Sequence, residues 1–128
     1  MNKKILIAED NPDNRQLLED VVDRFRAYGV TILSADNGAV AYEIALRERP
    51  DVILLDLMMP GMDGFELCER IKRDATLINT YIIVVSAKAQ VEDRRRAALA
   101  GVDEYLTKPF DARTVIERVQ KVLGLRPL

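Results

Sequence analysis

The stretch from Pro50 to Gly64 constrains this chain more than any other. Four apolar residues, Val52-Ile53-Leu54-Leu55, run straight into a carboxylate, Asp56, with Pro60, Gly61 and Gly64 close behind. A continuous apolar run of strand length, bounded by turn signals, reads as a strand buried on both faces. Strands of that kind belong to parallel sheets, whose sites lie in the crevice beyond the strands' carboxyl ends. Asp56 stands at such an end.

The same grammar recurs along the chain. Lys4-Ile5-Leu6-Ile7-Ala8 ends on Glu9 and Asp10, and Tyr81-Ile82-Ile83-Val84-Val85 ends on Ser86. Val30 to Leu33 reads as a short strand, and Val102 to Thr107 as a last one, closed by Lys108-Pro109. Helical spacing fills the intervals. Asn11-Pro12 is a good helix start, since Asn caps and Pro tolerates the first turn. Leu17, Leu18, Val21, Val22 and Phe25 then predict one apolar face running to Tyr28-Gly29. Asn37-Gly38 opens a helix with Ala41, Ile44 and Ala45 inward, closed at Pro50. Asp63 and Glu66 have the spacing of a capping box before a helix that buries Leu67 and Ile71. Gln90 to Ala100 predicts a helix with a thin apolar stripe, because Arg94, Arg95 and Arg96 spread charge around it; Gly101 stops it. Asp111 caps a final helix with Val115, Ile116, Val119, Val122 and Leu123 inward, ended by Gly124 and Pro127. Five alternations of strand and helix predict an α/β fold, a doubly wound parallel sheet with helices on both faces. The whole chain, 1–128, reads as one domain.

Composition narrows the chemistry. The net charge of −2 offers no global attraction to nucleic acid or to an anionic membrane. The apolar runs are far shorter than the ~20 residues needed to span a bilayer. Met1-Asn2-Lys3-Lys4 leads directly into a strand, so a cytoplasmic location is the default expectation. Cys68 is the only cysteine and falls in a helical pattern, which predicts a packing role. There is no histidine, so Cys–His and Ser–His nucleophilic sites and His-ligated metals are excluded. Any metal must be a hard cation held by oxygen.

A parallel sheet delivers Glu9, Asp10, Asp56, Ser86 and Lys108 to one rim. Singly, each acid reads equally well as a turn former or a cap. Three acids together repel one another unless a cation neutralises them. An oxygen-only acidic set suits Mg2+, which shares its shell with water and phosphate. Lys108 supplies a point charge and Ser86 a donor, both suited to phosphoryl oxygens. A carboxylate can attack phosphorus to give an aspartyl phosphate, and Asp56 is the best-placed nucleophile.

These blocks resemble the receiver domain of two-component response regulators, the family of the chemotaxis response regulator. The matching residues are Ile5 to Asn11, Leu54 to Gly64 around Asp56, Val84 to Ala87 around Ser86, and Tyr105 to Phe110 around Lys108. The resemblance covers the whole chain and implies the flavodoxin-like strand order 2-1-3-4-5. It implies that Asp56 accepts a phosphoryl group from a histidine kinase or phosphotransfer protein. It implies Mg2+, with Mn2+ able to substitute, held by Asp10, Asp56 and the backbone carbonyl of Met58, with Glu9 acting through water. Lys108 is then the phosphoryl contact and Lys108-Pro109 a cis peptide; Ser86 and Tyr105 form the switch. Met58 and Lys88 occupy positions that bear on phosphoryl lifetime, and apolar Met58 predicts slow loss.

The expected function is a phosphorylation switch with no external substrate. Its partners are an upstream phosphodonor and a downstream protein target, with neither nucleic acid nor membrane bound directly, and it acts as a monomer or a phosphorylation-promoted dimer. A phosphohydrolase would want a second acid two residues after the nucleophile, where Met58 stands. A scaffold that works without phosphorylation is the other rival. The Arg94–Arg96 run reads either as a solvated face or as a charged docking surface.

Overall fold

Burial on both faces explains why the apolar runs become strands. In a computed structural model, which describes residues 2–88 and 90–126, five parallel strands lie in the order β2-β1-β3-β4-β5. They are β1 (Lys4–Ala8), β2 (Thr31–Ala35), β3 (Val52–Leu55), β4 (Tyr81–Ser86) and β5 (Glu104–Thr107). The helices are α1 (Pro12–Val22), α2 (Gly38–Glu48), α3 (Gly64–Arg73), α4 (Val91–Leu99) and α5 (Ala112–Leu123). This is the flavodoxin-like, doubly wound arrangement expected, and all strand carboxyl ends share one rim.

Side-chain alternation along β3 divides the core in two. Ile53 and Leu55 pack with Leu6, Ile82 and Val84 against α2, α3 and α4. Val52 and Leu54 pack with Ile5, Ile7, Ile83 and Val85 against α1 and α5. Every residue of β3 is fully buried, the condition that a non-alternating apolar strand requires. Cys68 is buried in the α3 stripe, and burial pushes its thiol up to about 12.

Several local expectations are revised. The first helix does not run unbroken to Tyr28: α1 ends at Val22 and a 3-10 segment, Asp23–Tyr28, carries Phe25 into the core before Gly29 turns the chain at φ 83°. Leu17 is half-exposed, because Leu18, Val22 and Phe25 define the sheet-facing stripe and Leu17 sits ahead of it. β2 runs two residues further than expected, since Ser34 and Ala35 pair with Ile7 and Ala8. β5 begins only at Glu104 and is half-buried throughout, as befits an edge. The capping box at α3 is half-formed. Asp63 accepts from the Glu66 amide at 2.9 Å, but the Glu66 carboxylate pairs with Arg70 instead. Ile44, Ile116 and Val122 are only partly buried at the edges of their stripes. Asp111 and Gly124 bound α5 as expected; Pro127 lies outside the described residues.

The arginine run is split three ways. Arg94 lies over the Tyr105 ring at 4.8 Å, and Arg96 over Phe65 at 4.1 Å with Asp63 at 3.9 Å. Arg95 faces Glu92 at 4.0 Å on the exposed side. Its apolar contribution being thin, α4 is held partly by cation–π contact.

Candidate phosphoacceptor site

Each strand hands its terminal polar residue to the rim. The sheet register aligns Ala8 with Leu55, so Glu9 and Asp56 emerge side by side, and the Asp56 amide donates to the Ala8 carbonyl at 3.0 Å. One carboxylate oxygen from each of Glu9, Asp10 and Asp56 lies within 4.8 Å of the others. Glu9 and Asp56 are buried, whereas Asp10 is exposed at the mouth.

Asp56 is gripped on both oxygens. Its Oδ1 accepts from the Met58 amide at 2.9 Å and from Ser86 Oγ at 3.1 Å. Its Oδ2 accepts from Lys108 Nζ at 2.8 Å, and the same ammonium reaches Glu9 Oε1 at 2.6 Å. Glu9 Oε2 accepts from the Asn11 amide at 3.2 Å. Burial raises the pKa of Glu9 above the ordinary carboxylate value, against the pull of Lys108. For Lys108 burial acts to lower the pKa, but its hydrogen bonds to Asp56 and Glu9 outweigh it and the net direction is up.

Three carboxylates and one ammonium leave two formal negative charges in this pocket, which a single divalent cation would balance. The donors are all oxygen, so the chemistry of the set fits a hard ion such as Mg2+. Asp56 is buried, while Asp10 and the Met58 side chain beside it are exposed.

Tyr105 stands one step away. It is half-buried in β5, and its hydroxyl donates to the Lys88 carbonyl at 2.5 Å, on the loop that follows Ser86. Burial raises its pKa. The Lys108-Pro109 peptide is cis. The structure therefore gathers Glu9, Asp10, Asp56, Ser86 and Lys108 into one pocket and sets Met58 on its rim and Tyr105 behind it. Three main-chain partners were not foreseen, the amides of Met58 and Asn11 and the carbonyl of Lys88, because residue types do not reveal them.

Residues 5–120 match the family model of the response regulator receiver domain. The chain is 33% identical to protein PilH of Pseudomonas aeruginosa, over 94% of this chain and 98% of that one. It is 34% identical to the phosphate regulon transcriptional regulatory protein PhoB of the same species, over 96% of this chain and 52% of the relative. The chain thus spans about half the length of several curated relatives that it matches. Among solved structures, it resembles the receiver domain of sensor histidine kinase PA1611 from Pseudomonas aeruginosa, which holds a magnesium ion in its active-site cleft. The TM-score is 0.84 at 31% identity, covering 97% of this chain and 99% of that one. A match over most of the chain, on a fold that converges these acids, this hydroxyl and this lysine, is decisive: the chain belongs to the receiver-domain family of two-component response regulators.

Proposed function

We propose that this chain is a phosphorylation-dependent switch in a two-component or phosphorelay system, with Asp56 as the acceptor. The observation that carries the reading is the convergence on Asp56 of three donors, the Met58 amide, Ser86 Oγ and Lys108 Nζ, at 2.9, 3.1 and 2.8 Å. Donors arranged around a carboxylate are equally suited to the oxygens of a phosphoryl group attached to it.

In this reading a histidine kinase or histidine phosphotransfer protein presents a phosphoimidazole. An Asp56 oxygen attacks phosphorus, and the P–N bond breaks with its electron pair going to the imidazole nitrogen. Asp10, Asp56 and the Met58 carbonyl would hold Mg2+, with Mn2+ able to substitute and Glu9 reached through water. The ion supplies charge neutralisation for the acids and the transferring oxygens. Lys108 neutralises one phosphoryl oxygen and Ser86 donates to another. Moving Ser86 towards the phosphoryl group draws on its loop, whose Lys88 carbonyl already holds the Tyr105 hydroxyl. That link would carry the change to α4, β5 and α5 and so to a downstream protein, in monomeric or phosphorylation-promoted dimeric form. Apolar Met58 orders the hydrolytic water poorly, so the phosphoryl group is long-lived. A cytoplasmic location follows from the proposed phosphodonors, and nucleic acid and membrane are not direct ligands. Among the described residues, no helix is long and apolar enough to cross a membrane.

Intact mass after incubation with acetyl phosphate tests the reading. The expected result is a gain of one phosphoryl group with Mg2+, none with chelator and none in Asp56→Asn. Followed over time, the adduct should outlast a few seconds. No gain under any condition would move the function to a phosphorylation-independent scaffold, and steady turnover of small phosphate esters would favour a phosphohydrolase.

A further inference from the structure

Arg15 has no place in the chemistry above, yet it touches the turn that carries two of the three acids. It sits at the end of the first turn of α1, where a helical side chain leans back towards the N-terminus and covers the preceding turn. Its Nη1 donates to the Glu9 carbonyl at 2.9 Å and lies 3.5 Å from the Asp10 carbonyl. Arg15 is half-buried, and its amide also closes the helix on the Asn11 carbonyl at 2.9 Å.

The two acids depend on this hold unequally. Glu9 is fixed several times over: its amide donates to Ala35 at 3.1 Å, and its two carboxylate oxygens accept from Lys108 and Asn11. Asp10 is exposed, so the aim of its carboxylate follows the backbone of the turn. A cation placed here opposes metal binding by simple repulsion. Its geometry works the other way, because it holds the Glu9 carbonyl closely and the Asp10 carbonyl more loosely, one on each side of the Asp10 Cα.

We infer that Arg15 is a positioning residue for the divalent cation, holding the β1–α1 turn so that Asp10 meets Glu9 and Asp56. This rests on the proposed metal-dependent reading of the site. Groups that orient metal ligands from outside the coordination shell typically change affinity by about 10-fold or more when removed.

The test is Mn2+ binding, read by electron paramagnetic resonance of the free ion, on the native chain, Arg15→Met, Arg15→Lys and Arg24→Met. Arg24 is exposed beyond α1, so its replacement removes the same charge without touching the turn. Circular dichroism confirms that each variant is folded. The expected result is about 10-fold weaker binding in Arg15→Met, partial recovery in Arg15→Lys, and native or slightly tighter binding in Arg24→Met. If Arg15→Met binds as the native chain does, or more tightly, charge alone governs and the inference is wrong. Should Arg15→Met fail to fold, Arg15→Lys decides alone: weakened binding supports the inference and native binding overturns it. A native chain that binds no Mn2+ removes the metal reading of the site together with this inference. Binding that is present but indifferent to Arg15 removes only the latter.

Discussion

The Lys108 ammonium reaches two carboxylates from different strands, Glu9 and Asp56, and is itself mostly shielded from solvent. Its pKa is raised because those partners outweigh its burial. The folded chain therefore keeps this proton to higher pH than the ordinary 10.5. The stability it confers is fully present below that value and is lost as pH climbs through the folded one. Urea unfolding in the presence of chelator should show the native chain losing more stability between about pH 9 and pH 11.5 than Lys108→Met does. Equal losses would show that the ammonium is not held by the acids. Residue identity made Lys108 and Asp56 legible as candidate site residues, since a lysine and an acid at two strand ends have few structural uses in common. It did not make legible that Lys108 would also take Glu9, because that depends on side-chain reach across the rim.

At the scale of elements, the turn between β3 and α3 is clamped at two glycines. A Cβ on Gly64 would stand 2.5 Å from the Leu57 Cα and 2.9 Å from the Asp56 carbonyl; one on Gly38 would stand 2.2 Å from the Met62 carbonyl. Both obstacles are main chain and cannot step aside. Gly64→Ala is thus expected to destabilise the fold by roughly 1–3 kcal/mol in denaturant unfolding, although alanine is the better helix former. A neutral or stabilising result would mean that the turn relaxes freely. The sequence marked a turn here but not its clamping by α2, which is remote in the chain. The same limit appears at α4. Its charged run was visible, but whether arginines face water or aromatic rings was settled by Tyr105 and Phe65, which approach from β5 and α3.

Across the whole molecule, stability centres on a strand that belongs to both halves of the core. Leu54 faces α1 and α5 while Leu55 faces α2, α3 and α4, and both are fully buried. Truncating either to alanine should cost about 2–5 kcal/mol. Because the halves share one sheet, both variants should unfold in a single transition by near- and far-ultraviolet circular dichroism. Separate transitions would show two independent cores. The fold class was legible because three apolar runs, at Ile5, Val52 and Tyr81, are each too continuous for a half-exposed strand and demand cover on both faces, while two shorter strands and helices of matching period complete the alternation. The acids, the serine and the lysine were legible as candidates because each lies at or just after the end of a strand, and parallel strands end on one side. Tertiary structure alone decided the rest: the break of the first helix at Val22, the outward turn of Leu17, the three-way division of the arginines and the main-chain donors around Asp56. Periodicity and residue type act within an element, over a few residues. Which backbone amide, ring or carbonyl meets a given side chain depends on groups from other strands and helices, brought there by packing.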